Sequence, residues 1–376
     1  MRVLQVAGSS TGGVGRHVRD IGAMLAEDHT VLLAAPEDVV AQVNSVNSTA
    51  QADGAALRTA VVDITDRPRP QDALAVADLR RLATGADVVH AHGLRAGALA
   101  AMAVRTLPGR PRLVVTLHNL PVGSRTVETI AAGLERVVAG GADVVLGVSG
   151  DLVDRMRERG ARRTARALVP APVRRPSGSD PARVRESLGV AAGERLVLTV
   201  ARLAPQKGLD LLLAAAAILA GPRAAGRQGR HASGSQGWRW AVVGDGPLRS
   251  QLAGRAGVEN LPVMLTGHRD DVPDLLAAAD VVVSTATWEG QPLWLQEALA
   301  AGAAIVATDV GGTREVLDDA AVLVPGDDAP ALAEAVRGVL ADPDRQDALR
   351  EAARRRAELL PTPAEVRAQL EEIYRT

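Results

Sequence analysis

Two basic and two acidic residues are spaced so that they could bind a phosphorylated sugar. Arg202 and Lys207 lie in the segment "TVARLAPQKGLD", and Lys207 is the only lysine in a chain whose Lys and Arg total 43. Glu289 and Glu297 lie in "TATWEGQPLWLQEALAAG". A planar guanidinium and a mobile ammonium suit a diphosphate, and ionised carboxylates accept hydrogen bonds from sugar hydroxyls. Each residue is also compatible with a solvated loop or helix surface.

A glycine-rich turn follows the first predicted strand but fits neither common phosphate-binding motif. In "GSSTGGVGRHV", a Walker A loop counted from Gly8 would need lysine where Val14 stands. A dinucleotide fingerprint counted from Gly13 would need glycine where Val18 stands, which disfavours an NAD-linked dehydrogenase. Gly12 and Gly13 remain as a turn whose backbone N–H groups could approach an anion. A tight strand–helix turn without a ligand is the alternative.

Three histidines end two predicted strands. His90 and His92 lie in "VVHAHGLRAG", and His118 lies in "VVTLHNLP". Side chains alternate along a strand, so His90 and His92 are expected on one face. No third ligand is evident at useful spacing, so no metal site is expected.

Short apolar runs alternate with helix-period segments, which predicts an α/β protein with two doubly wound parallel sheets. The predicted strands are 2–8, 30–36, 58–64, 86–92, 112–118, 143–149 and 167–173 in the first half, and 195–203, 239–246, 263–267, 280–285, 304–308 and 321–325 in the second. Open α/β sheets bind ligands at the carboxyl ends of their strands. The motifs above follow predicted strands and therefore fall at that edge.

The Pro-, Gly- and Ser-rich segment 170–180 predicts a domain boundary. We expect domains at 1–174 and 175–360, and a C-terminal helix at 361–376, capped by Thr362, that packs back on the first domain. The segment 221–237 is expected to be a disordered surface insertion.

Composition restricts the function classes. Aromatic residues make up 1% of the chain and apolar residues 47%, so the core must be built from Ala, Val and Leu. The net charge of −1 provides no field that would attract nucleic acid. Cysteine is absent, the start does not resemble a signal peptide, and the longest apolar run, 211–220, is too short to span a membrane. We therefore expect a cytoplasmic protein.

Four segments occur in the order typical of one family: "ARLAPQKGLD", "VVGDGPLR", "LTGHRDDVPDLLAAADVVVSTATWEGQPLWLQEALAAG" and "VATDVGGTREVL". The chain resembles GT-B glycosyltransferases, and most of all the large retaining family 4, whose E-x7-E element would be Glu289 and Glu297. The resemblance implies two Rossmann-like domains facing across a cleft. It also implies a hexosyltransferase that uses a nucleoside-diphosphate sugar with retention of configuration, without metal or other cofactor.

The resemblance also implies residue roles. Arg202 and Lys207 would bind the donor diphosphate and stabilise the leaving nucleotide, Glu289 would contact the transferred sugar, and Glu297 would hold the ribose. His92 would be the active-site histidine, with His118 as second choice; a histidine hydrogen-bonded within the domain core is the alternative for both. Further donor contacts would come from Gly12, Gly13, Gly244, Asp245, Gly246, Gly290, Gln291, Pro292 and Leu293, and the base would lie near Gly267, His268 and Arg269. The family often shows an Asn-Gly pair after the last strand of the first domain, where this chain has "VPAPVRRP".

Other interpretations stay open at this point. A nucleotide-sugar 2-epimerase shares the architecture, and a non-catalytic sugar-nucleotide-binding subunit would keep the binding residues. The acceptor could be a glycan, a lipid-linked molecule or a small molecule. The arginine-dense segment 154–176 is either a solvated helix and loop or a surface that attracts anionic lipid, and the second reading would place the protein at the inner face of the membrane.

Overall fold

The chain forms two compact units. The computed structural model describes residues 1–8, 13–49, 57–65, 67–121, 124–170, 177–221 and 237–376. Unit 1 comprises Met1–Pro170 with Pro361–Thr376, and unit 2 comprises Ala171–Leu360. Residues 222–236 of the expected insertion and most of the Pro-rich boundary segment fall outside the described residues.

Unit 1 is built around a parallel sheet of seven strands in the order β3-β2-β1-β4-β5-β6-β7. The strands are β1 (Arg2–Ala7), β2 (Thr30–Ala35), β3 (Arg58–Val61), β4 (Val88–His92), β5 (Arg112–Leu117), β6 (Val144–Gly147) and β7 (Thr164–Arg166). The helices are α1 (Gly13–Ala26), α2 (Glu37–Thr49), α3 (Asp72–Ala83), α4 (Leu94–Val104), α5 (Arg125–Gly141), α6 (Gly150–Glu158) and, from the end of the chain, α15 (Pro363–Arg375).

Unit 2 repeats this plan with a parallel sheet of six strands in the order β10-β9-β8-β11-β12-β13. The strands are β8 (Arg195–Val200), β9 (Trp238–Val243), β10 (Val263–Gly267), β11 (Val281–Ser284), β12 (Ile305–Thr308) and β13 (Ala321–Val324). The helices are α7 (Pro181–Ser187), α8 (Leu209–Ala220), α9 (Arg249–Val258), α10 (Val272–Ala278), α11 (Leu293–Ala300), α12 (Thr313–Leu317), α13 (Ala329–Ala341) and α14 (Pro343–Glu358), with a 3₁₀ turn at Pro205–Lys207.

The central strands are buried on both faces, as their continuous apolar runs predict. Every residue of β4, β6, β11 and β12 is buried. With no phenylalanine in the chain, the cores consist mainly of Ala, Val and Leu, and small residues allow close packing. A Cβ on Gly97 of α4 would lie only 2.5 Å from Val115 Cγ1 of β5, so this helix lies closer to the sheet than any side chain would permit.

One predicted strand was wrong. The last strand of the first half was expected at 167–173, but β7 is Thr164–Arg166, and Ala167 adds one more backbone bond, from its N to Gly147 O at 2.9 Å. β7 is one of the two edge strands of the sheet, and its residues are only partly buried. An edge strand does not need a continuous apolar run. The search for apolar runs therefore selected residues 167–173, which follow β7, instead of β7 itself.

The C-terminal helix was predicted correctly. A reciprocal capping box between Thr362 and Glu365 begins α15, which packs on unit 1. Arg367 on this helix pairs with Glu27 and Asp28, which follow α1. Across the part of the chain that the structure describes, no helix is long and apolar enough to cross a membrane.

Candidate active site

The strand orders place the motif-bearing loops beside each other. In unit 2, β8 and β11 are neighbours at the point where the strand order reverses. The loop 201–208 follows β8 and the loop 285–292 follows β11, so both lie at the switch point of the sheet, where open α/β sheets bind ligands. In unit 1 the equivalent switch point lies between β1 and β4, and His92 ends β4 there.

Lys207 and Glu289 form an ion pair at the unit 2 switch point. Lys207 Nζ lies 2.5 Å from Glu289 Oε1, and the side chains are 21% and 11% exposed. An ammonium carries three donors and a carboxylate accepts at two oxygens, so each group keeps hydrogen-bonding capacity for a ligand. Arg202 lies in the same loop as Lys207 and is exposed.

Backbone contacts fix the two loops to each other. Thr285 Oγ1 donates to Lys207 O at 2.9 Å, and the Thr287 N donates to Gln206 O at 3.0 Å. Gly208 adopts φ 58°, and a Cβ there would lie 1.9 Å from Thr285 O. Only glycine fits this approach, so the position of Lys207 depends on a residue that carries no functional group. Sequence reasoning did not single out Thr285 or Gly208.

A third loop, after β12, joins the site. Gly312 N donates to Glu289 O at 2.8 Å, which ties the "VGGT" turn to the carboxylate loop. Gly290, Gln291 and Pro292 complete the carboxylate loop, and α11 begins at Leu293.

Glu297 lies in the second turn of α11 and is buried, with 7% of its surface exposed. The neighbouring Gln296 is fully buried, and its amide nitrogen and oxygen have no hydrogen-bond partner among the described residues. The start of α11 is therefore an unusually polar part of the unit 2 interior.

The remaining expected donor contacts lie at the ends of β9 and β10. Gly244 N donates to Gly267 O at 2.8 Å, so the two strand ends are joined. Asp245 and His268 are exposed, and the His268 side chain is 80% accessible. Arg269 pairs with Asp271 at 2.6 Å, which holds its guanidinium at the surface of unit 2. Gly246 follows in the same turn as Asp245, Gly13 begins α1 of unit 1, and Gly12 lies outside the described residues.

Unit 1 contains a buried group of aromatic and imidazole rings, which we call the histidine layer: His17, His90, His92, His118 and Tyr374. His90 and His92 share one face of β4, as predicted, with ring centroids 4.2 Å apart. The layer is covered by two helices, because His17 comes from α1 and Tyr374 from α15. All five residues are less than 9% exposed.

Hydrogen bonds connect the rings of the histidine layer. His90 Nδ1 lies 2.7 Å from Tyr374 Oη, and His90 Nε2 lies 2.7 Å from Thr116 Oγ1. His92 Nδ1 lies 3.3 Å from His118 Nε2. His92 Nε2 is buried and has no hydrogen-bond partner among the described residues, which is a rare state for a buried polar atom.

Burial keeps these imidazoles neutral. It lowers the pKa of His17 to about 4 and that of His90 to about 3. Burial also lowers the pKa of His92 and His118 well below the ordinary value, and the neighbouring histidines act in the same direction. A neutral His92 has one N–H donor and one acceptor nitrogen. Whether Nδ1 donates to His118 or accepts from it therefore determines whether Nε2 is the acceptor or the donor. Sequence reasoning found His90, His92 and His118 but missed His17 and Tyr374, which come from elements distant in sequence. It also missed Thr116, which lies two residues before His118 and shows its role only through its contact with His90.

The described part of the arginine-dense segment, 154–170, is largely engaged within unit 1. Arg155 and Arg159 both pair with Glu135, whose side chain is 2% exposed. Arg163 donates to Thr376 Oγ1, and Arg166 donates to Gly147 O. These contacts favour a structural role for the described part of the segment. Over the described ranges, no cluster of three or more His, Asp or Glu is placed to share a metal ion.

Comparison with known proteins agrees with the motifs and the fold. A model described as "Glycosyl transferase 4-like domain" matches residues 12–172, and one described as "Glycosyl transferases group 1" matches 181–356. An alpha-maltose-1-phosphate synthase from Mycolicibacterium smegmatis is 31% identical over 97% of this chain and 95% of its own length. An alpha-D-kanosaminyltransferase from Streptomyces kanamyceticus is 28% identical over 70% of each chain.

Solved structures share the fold. Anabaena HepE, whose structures contain UDP, UDP with glucose, or UDP-glucose, superposes with a TM-score of 0.79 at 23% identity over 99% of both chains. A sucrose-phosphate synthase from Thermosynechococcus elongatus gives 0.76 at 21% identity. The chain therefore belongs to the GT-B glycosyltransferases of the family 4 type, and it is a transferase enzyme.

Proposed function

We propose that this glycosyltransferase moves a sugar from a nucleoside-diphosphate sugar to an acceptor hydroxyl, with retention of configuration and without a metal. The observation that carries the proposal is the contact between Lys207 and Glu289 at the switch point of unit 2. It brings an ammonium group, which suits a phosphate, next to a carboxylate, which suits sugar hydroxyls. The HepE complexes with UDP and UDP-glucose support this class of donor.

The proposed roles follow from the chemistry of each group. Lys207 and the exposed Arg202 would stabilise the negative charge that develops on the departing diphosphate, which is how fixed cations promote loss of such a leaving group. Glu289 would accept hydrogen bonds from the transferred sugar, and Glu297 from the ribose. Backbone N–H groups of 290–293 and the turn at Gly12 and Gly13 would approach the phosphates.

The remaining proposed donor contacts would lie around the nucleoside. The turn Gly244, Asp245 and Gly246 would border the nucleotide, and Gly267, His268 and Arg269 would border the base. Their backbone groups are joined through the Gly244–Gly267 bond, so the base would meet a fixed surface.

Retention is consistent with departure and attack on the same face of the sugar. The bond between C1 and the phosphate oxygen breaks, the acceptor oxygen bonds to C1, and the acceptor proton passes to the leaving phosphate. Glu289 is paired with Lys207, so we do not assign it as a covalent nucleophile. His92 would donate or accept a hydrogen bond through Nε2, the buried nitrogen that has no described partner.

Nucleotide binding tests this proposal. We expect UDP, GDP or ADP to raise the melting temperature of the wild type, by about 2.7 kcal/mol of stabilisation at 100 times the Kd. Lys207→Ala should lose the shift. Arg337→Ala is the matched control, because it removes an exposed positive charge elsewhere in unit 2 and should keep the shift.

Lys207→Ala also leaves the Glu289 carboxylate without its partner. The double variant Lys207→Ala, Glu289→Gln removes that unpaired charge, so it shows whether the lost shift comes from the missing ammonium or from the unpaired carboxylate. Undiminished nucleotide binding by Lys207→Ala, or no binding of any of the three diphosphates by the wild type, would refute the donor site. Once the base is known, labelled donors can be screened for transfer. An inverted anomeric configuration in the product, read by NMR, would refute retention.

A further inference from the structure

The proposed function uses His92 but leaves the rest of the histidine layer without a role. Tyr374 is the only tyrosine in the chain, and two residues follow it in the sequence. The residue is 4% exposed, and its hydroxyl contacts His90 rather than solvent. The hydroxyl of a buried tyrosine usually has a hydrogen-bond partner.

Two hydrogen bonds determine the position of the His90 ring. Tyr374 Oη contacts Nδ1, and Thr116 Oγ1 contacts Nε2, each at 2.7 Å. A neutral imidazole has one donor and one acceptor nitrogen, so one hydroxyl must donate to the ring and the other must accept from it. Both the plane of the ring and its tautomer are therefore set by these two partners.

The His90 ring in turn supports His92. Their centroids are 4.2 Å apart with planes inclined by 33°, and no side chain intervenes between adjacent residues on one face of β4. The His92 ring also contacts His118, with centroids 5.6 Å apart, planes inclined by 23°, and His92 Nδ1 3.3 Å from His118 Nε2. His92 therefore contacts both rings, and the direction of its Nε2, which has no hydrogen-bond partner among the described residues, depends on both.

We infer that Tyr374 is a positioning residue for His92 and acts through His90, so that the C-terminal helix α15 takes part in the active site. The inference rests on the proposed role of His92. The pairing of Arg367 with Glu27 and Asp28 is another contact of α15, and it lies at the surface, away from the histidine layer.

The test compares Tyr374→Phe, which removes one hydroxyl, with Arg367→Ala, which weakens the attachment of α15 without touching the layer. The first measurement is NMR of enzyme with isotope-labelled histidine, which reports the tautomer of each ring. We expect the His90 and His92 signals to change in Tyr374→Phe and to match the wild type in Arg367→Ala. Thr116→Val, which removes the other partner of His90, should change the same signals.

The second measurement is release of UDP from UDP-glucose. We expect Tyr374→Phe to lower kcat by about tenfold or more with KM changed by less than about twofold, as when a partner that orients a functional histidine is removed. Arg367→Ala should keep the wild-type kcat. Unchanged His92 signals in Tyr374→Phe, or equal effects of Tyr374→Phe and Arg367→Ala, would overturn the inference. Wild-type enzyme that does not turn over UDP-glucose would count against that donor, and the histidine signals would still decide the positioning role.

Discussion

Acidification should destabilise unit 1 because its buried histidines are held neutral. The four histidines of the layer have pKa values below the ordinary 6.5, so below that pH the unfolded chain binds more protons than the folded chain. Their stabilising contribution is present above pH 6.5 and is lost as the pH falls towards the folded pKa values. The free energy of unfolding of unit 1 should therefore decrease as the pH falls below 6.5.

The magnitude follows from proton uptake. An unfolded histidine is about one-quarter protonated at about pH 7 and about nine-tenths protonated at about pH 5.5, while the buried ring stays largely neutral. Each ring then lowers the free energy of unfolding by about 1.2 kcal/mol across this interval, and four rings by about 5 kcal/mol. For a unit of this size that corresponds to a fall of about 10–20 °C in the melting temperature.

The assay can separate the two units. All four tryptophans lie at positions 238 to 294, in unit 2, so their fluorescence follows that unit, whereas far-ultraviolet circular dichroism follows both. We expect a dichroism transition that moves down between about pH 7 and about pH 5.5 and a smaller shift in the fluorescence transition.

A single substitution tests the cause. The His17 ring packs edge to face against His92 and His118, and His17→Gln should reduce the pH slope by about one proton. His268→Gln is the control, since that side chain is 80% exposed, and it should keep the wild-type slope. If His17→Gln shows the same slope as the wild type, burial of the layer is not the source of acid sensitivity.

Two further predictions concern unit 2. Gly208→Ala should lower the free energy of unfolding by about 2 kcal/mol or more and weaken nucleotide binding. The reason is that the new Cβ would collide with Thr285 O and that the backbone at this residue has φ 58°. Chemical denaturation should show no such loss for the control Gly254→Ala, where the added Cβ meets nothing within 4 Å. Asp280→Asn should cost about 3 kcal/mol by the same measurement, because the buried carboxylate accepts from two arginines and a backbone amide. Burial acts to raise the pKa of Asp280, but these partners outweigh it and hold that pKa below 3.8, so its stabilisation should persist until the pH falls below that value. A wild-type melting curve for Asp280→Asn at neutral pH would contradict this account.

Much of the candidate site of unit 2 could be predicted from sequence because its proposed residues lie in short segments. Arg202 and Lys207 are separated by four residues, and Glu289 and Glu297 by seven, so local motifs carry them. Their placement after predicted strands was enough to assign them to the ligand-binding edge of a sheet. Twelve of the thirteen strands were found where apolar runs predicted them, and the exception is the partly buried edge strand β7.

The sequence by itself determined the fold class, the family and the local chemistry, because hydrophobic period and motif spacing are short-range properties of the chain. Only the tertiary structure decided which loops meet. The contact between Lys207 and Glu289 spans 82 positions, and that between His90 and Tyr374 spans 284. Such contacts depend on strand order and on where the last helix packs. A local sequence pattern predicts neither the strand order nor the packing of the last helix. The role of Tyr374 therefore could not be predicted before the structure showed α15 packed near β4.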